Sequence, residues 1–219
     1  MLTETQQKNL KKASVLVFGV GGVGSAVANM LVRSGITHIG IVDFDDIDIT
    51  NINRQMVANA NNIGKLKVDE MESQLKQLNP EVQVDKFPIK FCAETANLID
   101  FSQYSYIVDC IDDMSAKKLL IKIANEKQIP ILCAMGAGNR FKGCPQFEIE
   151  DIHKTSYDPV AKIIRKFCVE EGIKKLNVCY TKQQGEKIDC KIIGSVVYYV
   201  VSMSCAIVGK VINDILTIQ

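Results

Sequence analysis

The sequence predicts an α/β fold: a doubly wound, mainly parallel sheet with helices on both faces and a mixed hairpin and helix extension at the C-terminus. Three observations predict it. Apolar strand-like runs alternate with helix-periodic segments roughly every 25 to 30 residues. The runs are short and lack strict polar alternation, as in a sheet covered on both faces. A glycine-rich turn joins the first run to the first periodic segment.

The elements follow in order. Ser14–Phe18 is an apolar strand ending in glycines, and Gly22–Ser34 continues it as a helix. His38–Val42 is β-branched and stops at Asp43. Gly64–Leu78 has helical spacing through Leu66, Met71, Leu75 and Leu78, with Glu72 and Lys76 paired on its polar side. Val82–Phe87 and Tyr104–Cys110 read as strands, Ser115–Lys127 as a helix and Ile129–Ala134 as a further strand. Beyond Gly136 the alternation weakens: Phe147–Ile149 is expected to form a hairpin with the region near Arg140, and Pro159–Cys168 a helix. Ile192–Gly209 is uncharged for eighteen residues. Serines and glycines dilute it and its tyrosines sit near the middle, so it reads as a buried final helix continuing past Lys210 and Asp214, not as a membrane span. The whole of 1–219 is expected to be one domain, with 13–140 as its core and 141–219 as an extension.

Composition bounds the partners and the compartment. Hydrophobic residues make up 47% and charged residues 23% of 219, the profile of a globular core. The net charge of +1 argues weakly against nucleic acid, but it is a cancellation. Residues 1–151 carry 16 Lys+Arg and 19 Asp+Glu, a net −3, and residues 152–219 carry 10 and 6, a net +4. Eight cysteines occur without any C-x-x-C spacing, so no structural zinc is expected. Cys110 and Cys133 lie in apolar runs, where a thiol acts as a small hydrophobe. With no signal peptide in view, the expectation is a reducing cytoplasm.

The chemistry starts at Gly19-Val-Gly21-Gly22-Val-Gly24-Ser25, between a strand and a helix. There a backbone can approach a phosphate chain that sits on free helix N–H groups, the Rossmann-like arrangement. Asp43, nineteen residues after Gly24, suits ribose hydroxyls. An NAD-dependent dehydrogenase satisfies the same pattern. Three further segments fall at strand carboxyl ends or just beyond: Asp45-Asp46 with Thr50-Asn51-Ile52-Asn53-Arg54-Gln55, Gly64-Lys65-Leu66-Lys67, and Asp109-Cys110-Ile111-Asp112-Asp113. Arg54 and Lys67 bring two cations toward a phosphate site, and Asp112 a hard carboxylate able to hold Mg2+. Adenylyl transfer uses that set and hydride transfer does not. Each also has a plainer reading: Arg54 and Lys67 as solvated charges, Asp112 as a helix N-cap, Asp45 as part of an acidic loop.

Through GVGGVGS, DFD, NxNRQ, GxxK and DCID the chain resembles the ThiF/MoeB and ubiquitin-activating adenylyltransferases. The resemblance implies ATP and Mg2+ as cofactors and an acyl-adenylate as intermediate. Carried over by position, Gly19, Gly21, Gly22 and Gly24 cradle phosphates, Asp43 holds the ribose with Asp45 beside it, and Asn51, Arg54 and Lys67 contact phosphates. Gln55 supports that loop and Asp112 places the metal; Arg54, Lys67 and Asp112 are the implied catalytic residues. The superfamily's N-terminal arginine, which serves the partner subunit's ATP, is absent, and Lys8, Lys11 and Lys12 stand in that region. The tail, through Asp151-Ile152-His153-Lys154-Thr155, Asp158-Pro159 and Val178-Cys179-Tyr180, resembles the tRNA threonylcarbamoyladenosine dehydratases. That implies ATP-dependent cyclisation of the modified adenosine, a tRNA substrate, a homodimer and no protein nucleophile. Lys154, Lys162, Arg165 and Lys166 are then the candidate tRNA phosphate contacts, though each also suits a solvated helix face. The alternatives are an enzyme that adenylates a ubiquitin-like sulfur carrier, with a sulfurtransferase or carrier as partner, and a family member that binds nucleotide without turnover.

Overall fold

A computed structural model describes residues 2–186 and 194–217. A seven-stranded sheet runs in the order β3-β2-β1-β4-β5-β7-β6, with β1 Ser14–Phe18, β2 His38–Val42, β3 Gln83–Phe87, β4 Tyr106–Asp109, β5 Ile131–Ala134, β6 Glu148–Asp151 and β7 Asn177–Tyr180. All neighbours are parallel except β6 and β7. The winding reverses between β1 and β4, so the crevice at their carboxyl ends is the place such a sheet offers a ligand.

The helices are α1 Glu4–Lys12, α2 Gly24–Arg33, α3 Lys67–Leu78, α4 Met114–Glu126, α5 Pro159–Glu170 and α6 Val197–Thr217. Helices α1, α2, α3 and α6 contribute to the apolar core on one face, through Leu10, Leu31, Met71 and Ile207. Helices α4 and α5 cover the other, through Leu120, Ile121 and Ile164. Every residue of β1 is buried, which explains why its sequence shows no alternation.

Helix α6 is long and apolar enough to cross a membrane by length and composition alone. Its buried residues nevertheless recur one turn apart, at Tyr199, Met203, Ile207, Val211 and Ile215, and it packs against α1 and α2. The Tyr106 hydroxyl on β4 donates to Asp214 on α6 at 2.8 Å, fixing the helix end to the sheet. The predicted buried final helix is therefore present but begins at Val197; of its expected earlier residues, 194–196 are not helical, and 192 and 193 lie outside the described residues, as does Cys190.

Two expectations change and one further element appears. Phe147–Ile149 does not pair with the region near Arg140: β6 pairs antiparallel with β7, Ile149 opposite Cys179. No local turn signal links those strands, because α5 lies between them in the chain. The helix expected from Gly64 begins at Lys67. Gly64 takes a left-handed φ of 84° and Leu66 is extended, with no side-chain cap, so the preceding residues form a turn. Helix α1, before the first strand, carries a capping box between Thr3 and Gln6 that sequence reading passed over.

Candidate nucleotide and acceptor site

A cavity of about 670 Å3 opens at the carboxyl ends of the parallel strands. One end is built by the glycine turn. Gly19 has φ +83°, and a Cβ there would stand 2.8 Å from the Cys110 carbonyl; a Cβ on Gly24 would stand 1.7 Å from the Gly19 carbonyl. No other residue could close this turn. It delivers the chain into α2, whose N-terminus has no side-chain cap. Helix N–H groups without a cap, together with the positive end of the helix dipole, favour an anion.

Asp43 leaves the end of β2 and is held by three neighbours. Its Oδ2 accepts from the Val20 amide at 2.7 Å and its Oδ1 from the Asp45 amide at 2.9 Å, with Lys67 Nζ at 4.0 Å. Burial pushes this carboxyl above its ordinary range, against the opposing pull of Lys67 and the two amides. Each oxygen keeps a lone pair for a hydroxyl donor. Lys67 is itself buried and its Nζ lies 2.6 Å from Asp45 Oδ2. The turn before α3 places it there, and the Lys67 amide donates to the Asp45 carbonyl.

The segment after β2 forms a short 3-10 turn, Ile49–Asn51. Asn51 closes it: its Oδ1 accepts from the Asp48 amide at 3.0 Å. The Arg54 guanidinium donates to the Thr50 carbonyl at 2.7 Å and to Asn53 Oδ1 at 3.0 Å. Gln55 is buried, and its Oε1 has no hydrogen-bond partner among the described residues. An unpaired buried acceptor costs about 1–3 kcal/mol unless a ligand or water donates to it. Asn51, Arg54, Gln55 and Lys67 all face the cavity.

Beyond β4 the two aspartates divide the work. Asp113 caps α4, accepting from the Ser115 and Ala116 amides at 2.7 and 2.9 Å, and these bonds hold its carboxyl below the usual range. Asp112 is exposed on the cavity wall. With the capping role taken by its neighbour, the plainer reading of Asp112 falls away. Among the described residues no group of three or more His, Cys, Asp or Glu side chains could hold a metal by itself. A magnesium site formed by one carboxylate and nucleotide phosphates fits this arrangement.

Two buried ion pairs escaped sequence reading. Lys117 on α4 lies 2.6 Å from Asp109 and donates to the Ala134 carbonyl at 3.1 Å. Burial alone would drive its ammonium toward neutrality, but Asp109 raises its pKa above the ordinary lysine value. Arg140 is buried beside Asp158 and donates to the carbonyls of Gly136, Gly138 and Gln183. It thereby shapes the second end of the cavity, which Met135, Gly136, Gly138, Val160 and Ser195 line. Periodicity could not reveal either pair, since each joins elements that meet only in the folded sheet.

The basic tail is mixed. Lys154, Lys162 and Lys166 are exposed, Lys154 with Glu150 and Lys166 with Glu170 at 3.7 Å. Arg165 is turned inward, where its Nη1 donates to the Thr155 carbonyl and hydroxyl at 2.7 Å. None of the four lines the cavity, but Val160, in the first turn of α5, does. Cys179 is buried within the core.

The ThiF family model matches residues 1–218. The chain is 40% identical over 168 residues to the tRNA threonylcarbamoyladenosine dehydratase of Bacillus subtilis, covering 77% of this chain and 66% of that protein. It is 38% identical over 132 residues to the adenylyltransferase and sulfurtransferase UBA4 of Candida glabrata, covering 60% of this chain and 30% of that one. The fold is similar to the crystal structure of Escherichia coli tRNA N6-threonylcarbamoyladenosine dehydratase in complex with ATP, with a TM-score of 0.90 and 27% identity over 97% of this chain and 89% of that one. The matched part is less than two thirds of the length of the curated dehydratases, 66%, 63% and 57% in three bacterial cases.

Proposed function

Because the chain belongs to the ThiF family, we propose that it is an ATP-dependent tRNA threonylcarbamoyladenosine dehydratase that adenylates the threonyl carboxylate of the modified nucleoside. The observation that carries this reading is the single cavity that runs from the uncapped α2 N-terminus, past Arg54, Lys67 and Asp112, to Gly136, Gly138 and Ser195. It offers a nucleotide end and an acceptor end on one wall. The choice of acceptor draws on the dehydratase relatives, whose similarity extends into the tail.

The residues have distinct tasks in this reading. The glycine turn and the α2 amides receive the phosphate chain, and Asp43 accepts from the ribose hydroxyls. Arg54 and Lys67 stabilise charge as the threonyl carboxylate attacks the α-phosphorus and pyrophosphate departs. For Lys67 this means sharing its ammonium between Asp45 and phosphate. Asp112 would hold Mg2+ with phosphate oxygens, and such an ion neutralises charge on the departing group. The tethered carbamoyl group then closes on the activated carbonyl, loses its proton, and AMP leaves. Ring closure from a tethered nucleophile needs positioning above all. We read the protein as a cytoplasmic homodimer; light scattering checks the oligomeric state.

The test is nucleoside mass spectrometry after incubation with ATP, Mg2+ and threonylcarbamoylated tRNA. Loss of one water from the modified nucleoside is expected, with equimolar AMP and pyrophosphate. No loss, together with pyrophosphate release on a small carrier protein ending in Gly-Gly, would favour the sulfur-carrier reading suggested by the UBA4 similarity. In that case a sulfur carrier and a sulfurtransferase become the partners.

A further inference from the structure

Asn53 stands outside the cavity wall, yet its amide joins two parts of that wall. Oδ1 accepts from Arg54 Nη1 at 3.0 Å, and Nδ2 donates to the Ser195 carbonyl at 3.0 Å. Arg54 and Ser195 both line the cavity, Ser195 just before α6. The residues at 194–195 are tied from the opposite side as well. Asn139 donates its amide to the Gly194 carbonyl at 2.7 Å, and its Oδ1 accepts from the Gly194 amide at 2.8 Å. Asn139 adopts a left-handed φ of 56° to do so, and it directly follows the cavity residues 136–138. Residues 194–195 are thus a strap strung between the phosphate-side loop and the acceptor-side loop. The same closure is seen at Gly22, where an added methyl group would stand 3.4 Å from Val200 on α6 and 3.5 Å from Arg54 Cγ.

A primary amide is the one short side chain that accepts at one end and donates at the other. We propose that Asn53 is a positioning residue that sets Arg54 and the Gly194–Ser195 strap in one register, so that the phosphate end and the acceptor end of the cavity are held together. The planar amide fixes the direction of both bonds. A shift of Arg54 toward a phosphate therefore moves the strap, and the strap in turn restrains Arg54. This role rests on the reading of the cavity as a site for nucleotide and acceptor together.

Two substitutions separate the two bonds. Asn53→Asp keeps an acceptor for Arg54, now a carboxylate that pairs more strongly with the guanidinium, and replaces the donor with an oxygen that repels the Ser195 carbonyl. Asn53→Ala removes both. Hydrogen–deuterium exchange of the free protein should show residues 194–200 exchanging about tenfold faster in Asn53→Asp, the worth of one hydrogen bond, with residues 50–55 unchanged. Asn53→Ala should accelerate both segments. In turnover, Asn53→Asp should raise KM for the modified tRNA by about tenfold and raise KM for ATP as well, since the freed strap no longer restrains Arg54 and the new carboxylate competes with phosphate for its guanidinium; Asn53→Ala should raise both. Exchange at 194–200 in Asn53→Asp equal to that of the parent overturns the proposal, as does a KM for the modified tRNA that does not change. The exchange measurement needs no substrate. Its result therefore stands even if the parent protein fails to dehydrate the tRNA, and the two ideas can fail independently.

Discussion

Lys117 Nζ lies 2.6 Å from Asp109 Oδ2 with both side chains almost wholly withdrawn from water, directly below the cavity. The pair joins the start of α4 to the end of β4, and through the Ala134 carbonyl to the end of β5. Three of the segments that build the site are thus fastened at one ammonium. Removing either partner leaves an uncompensated buried charge, which costs about 3–5 kcal/mol. Lys117→Met and Asp109→Leu should each lower the urea midpoint accordingly, and the double variant should recover part of the loss. A double variant no more stable than the singles would show that the pair is not an energetic unit.

The adjacent aspartates after β4 should respond to substitution in opposite ways. Asp112→Asn is expected to abolish turnover with the melting temperature unchanged, since its carboxylate faces the cavity and caps nothing. Asp113→Ala is expected to lower the melting temperature at neutral pH, because it removes the α4 cap. The Asp113 pKa is depressed in the fold, so its stabilisation is present above the unfolded carboxylate pKa and is lost as pH falls through the lower folded value. The stability difference between parent and Asp113→Ala should therefore narrow at acid pH. Melting curves across that range, beside turnover assays of both variants, check the assignment.

No cysteine nucleophile is expected. Burial pushes the Cys179 thiol up to about 12, far from the thiolate state that nucleophilic attack requires. Its Sγ faces the Met203 carbonyl at 3.8 Å, inside the core. Cys179→Ala should keep turnover within about threefold of the parent, and a thiol-alkylating reagent should not trap a protein-linked intermediate during reaction. Loss of activity with an unchanged melting temperature would make Cys179 a candidate nucleophile.

The basic face of α5 separates into solvent-exposed lysines and an arginine engaged inside the fold. Lys162→Glu with Lys166→Glu should weaken tRNA binding and flatten its salt dependence by roughly one unit per lost contact. Arg165→Ala should act mainly on stability, because its guanidinium is engaged by Thr155. Filter binding at several salt concentrations distinguishes them: an unchanged slope in the double lysine variant would remove α5 from the RNA surface.

What the sequence determined by itself was most of what short-range chemistry specifies, the α1 capping box and the turn before α3 excepted. The first strand, the glycine turn and the second strand ending at Asp43 are legible because apolar runs, a left-handed glycine and a strand terminus leave local signatures. The motif residues Arg54, Lys67 and Asp112 are legible for the same reason, and the folded chain brings them to one cavity. Tertiary structure alone decided which charges are committed. That Asp113 and not Asp112 caps α4 depends on where the first helical turn begins. That Arg165 turns toward Thr155 depends on the packing of α5. The pairing of β6 with β7, the Arg140 clamp on Gly136 and Gly138, and the bond from Asn53 to Ser195, 142 positions apart, join segments with no shared local pattern. Their partners are set by distance through space, and sequence spacing carries no record of that distance.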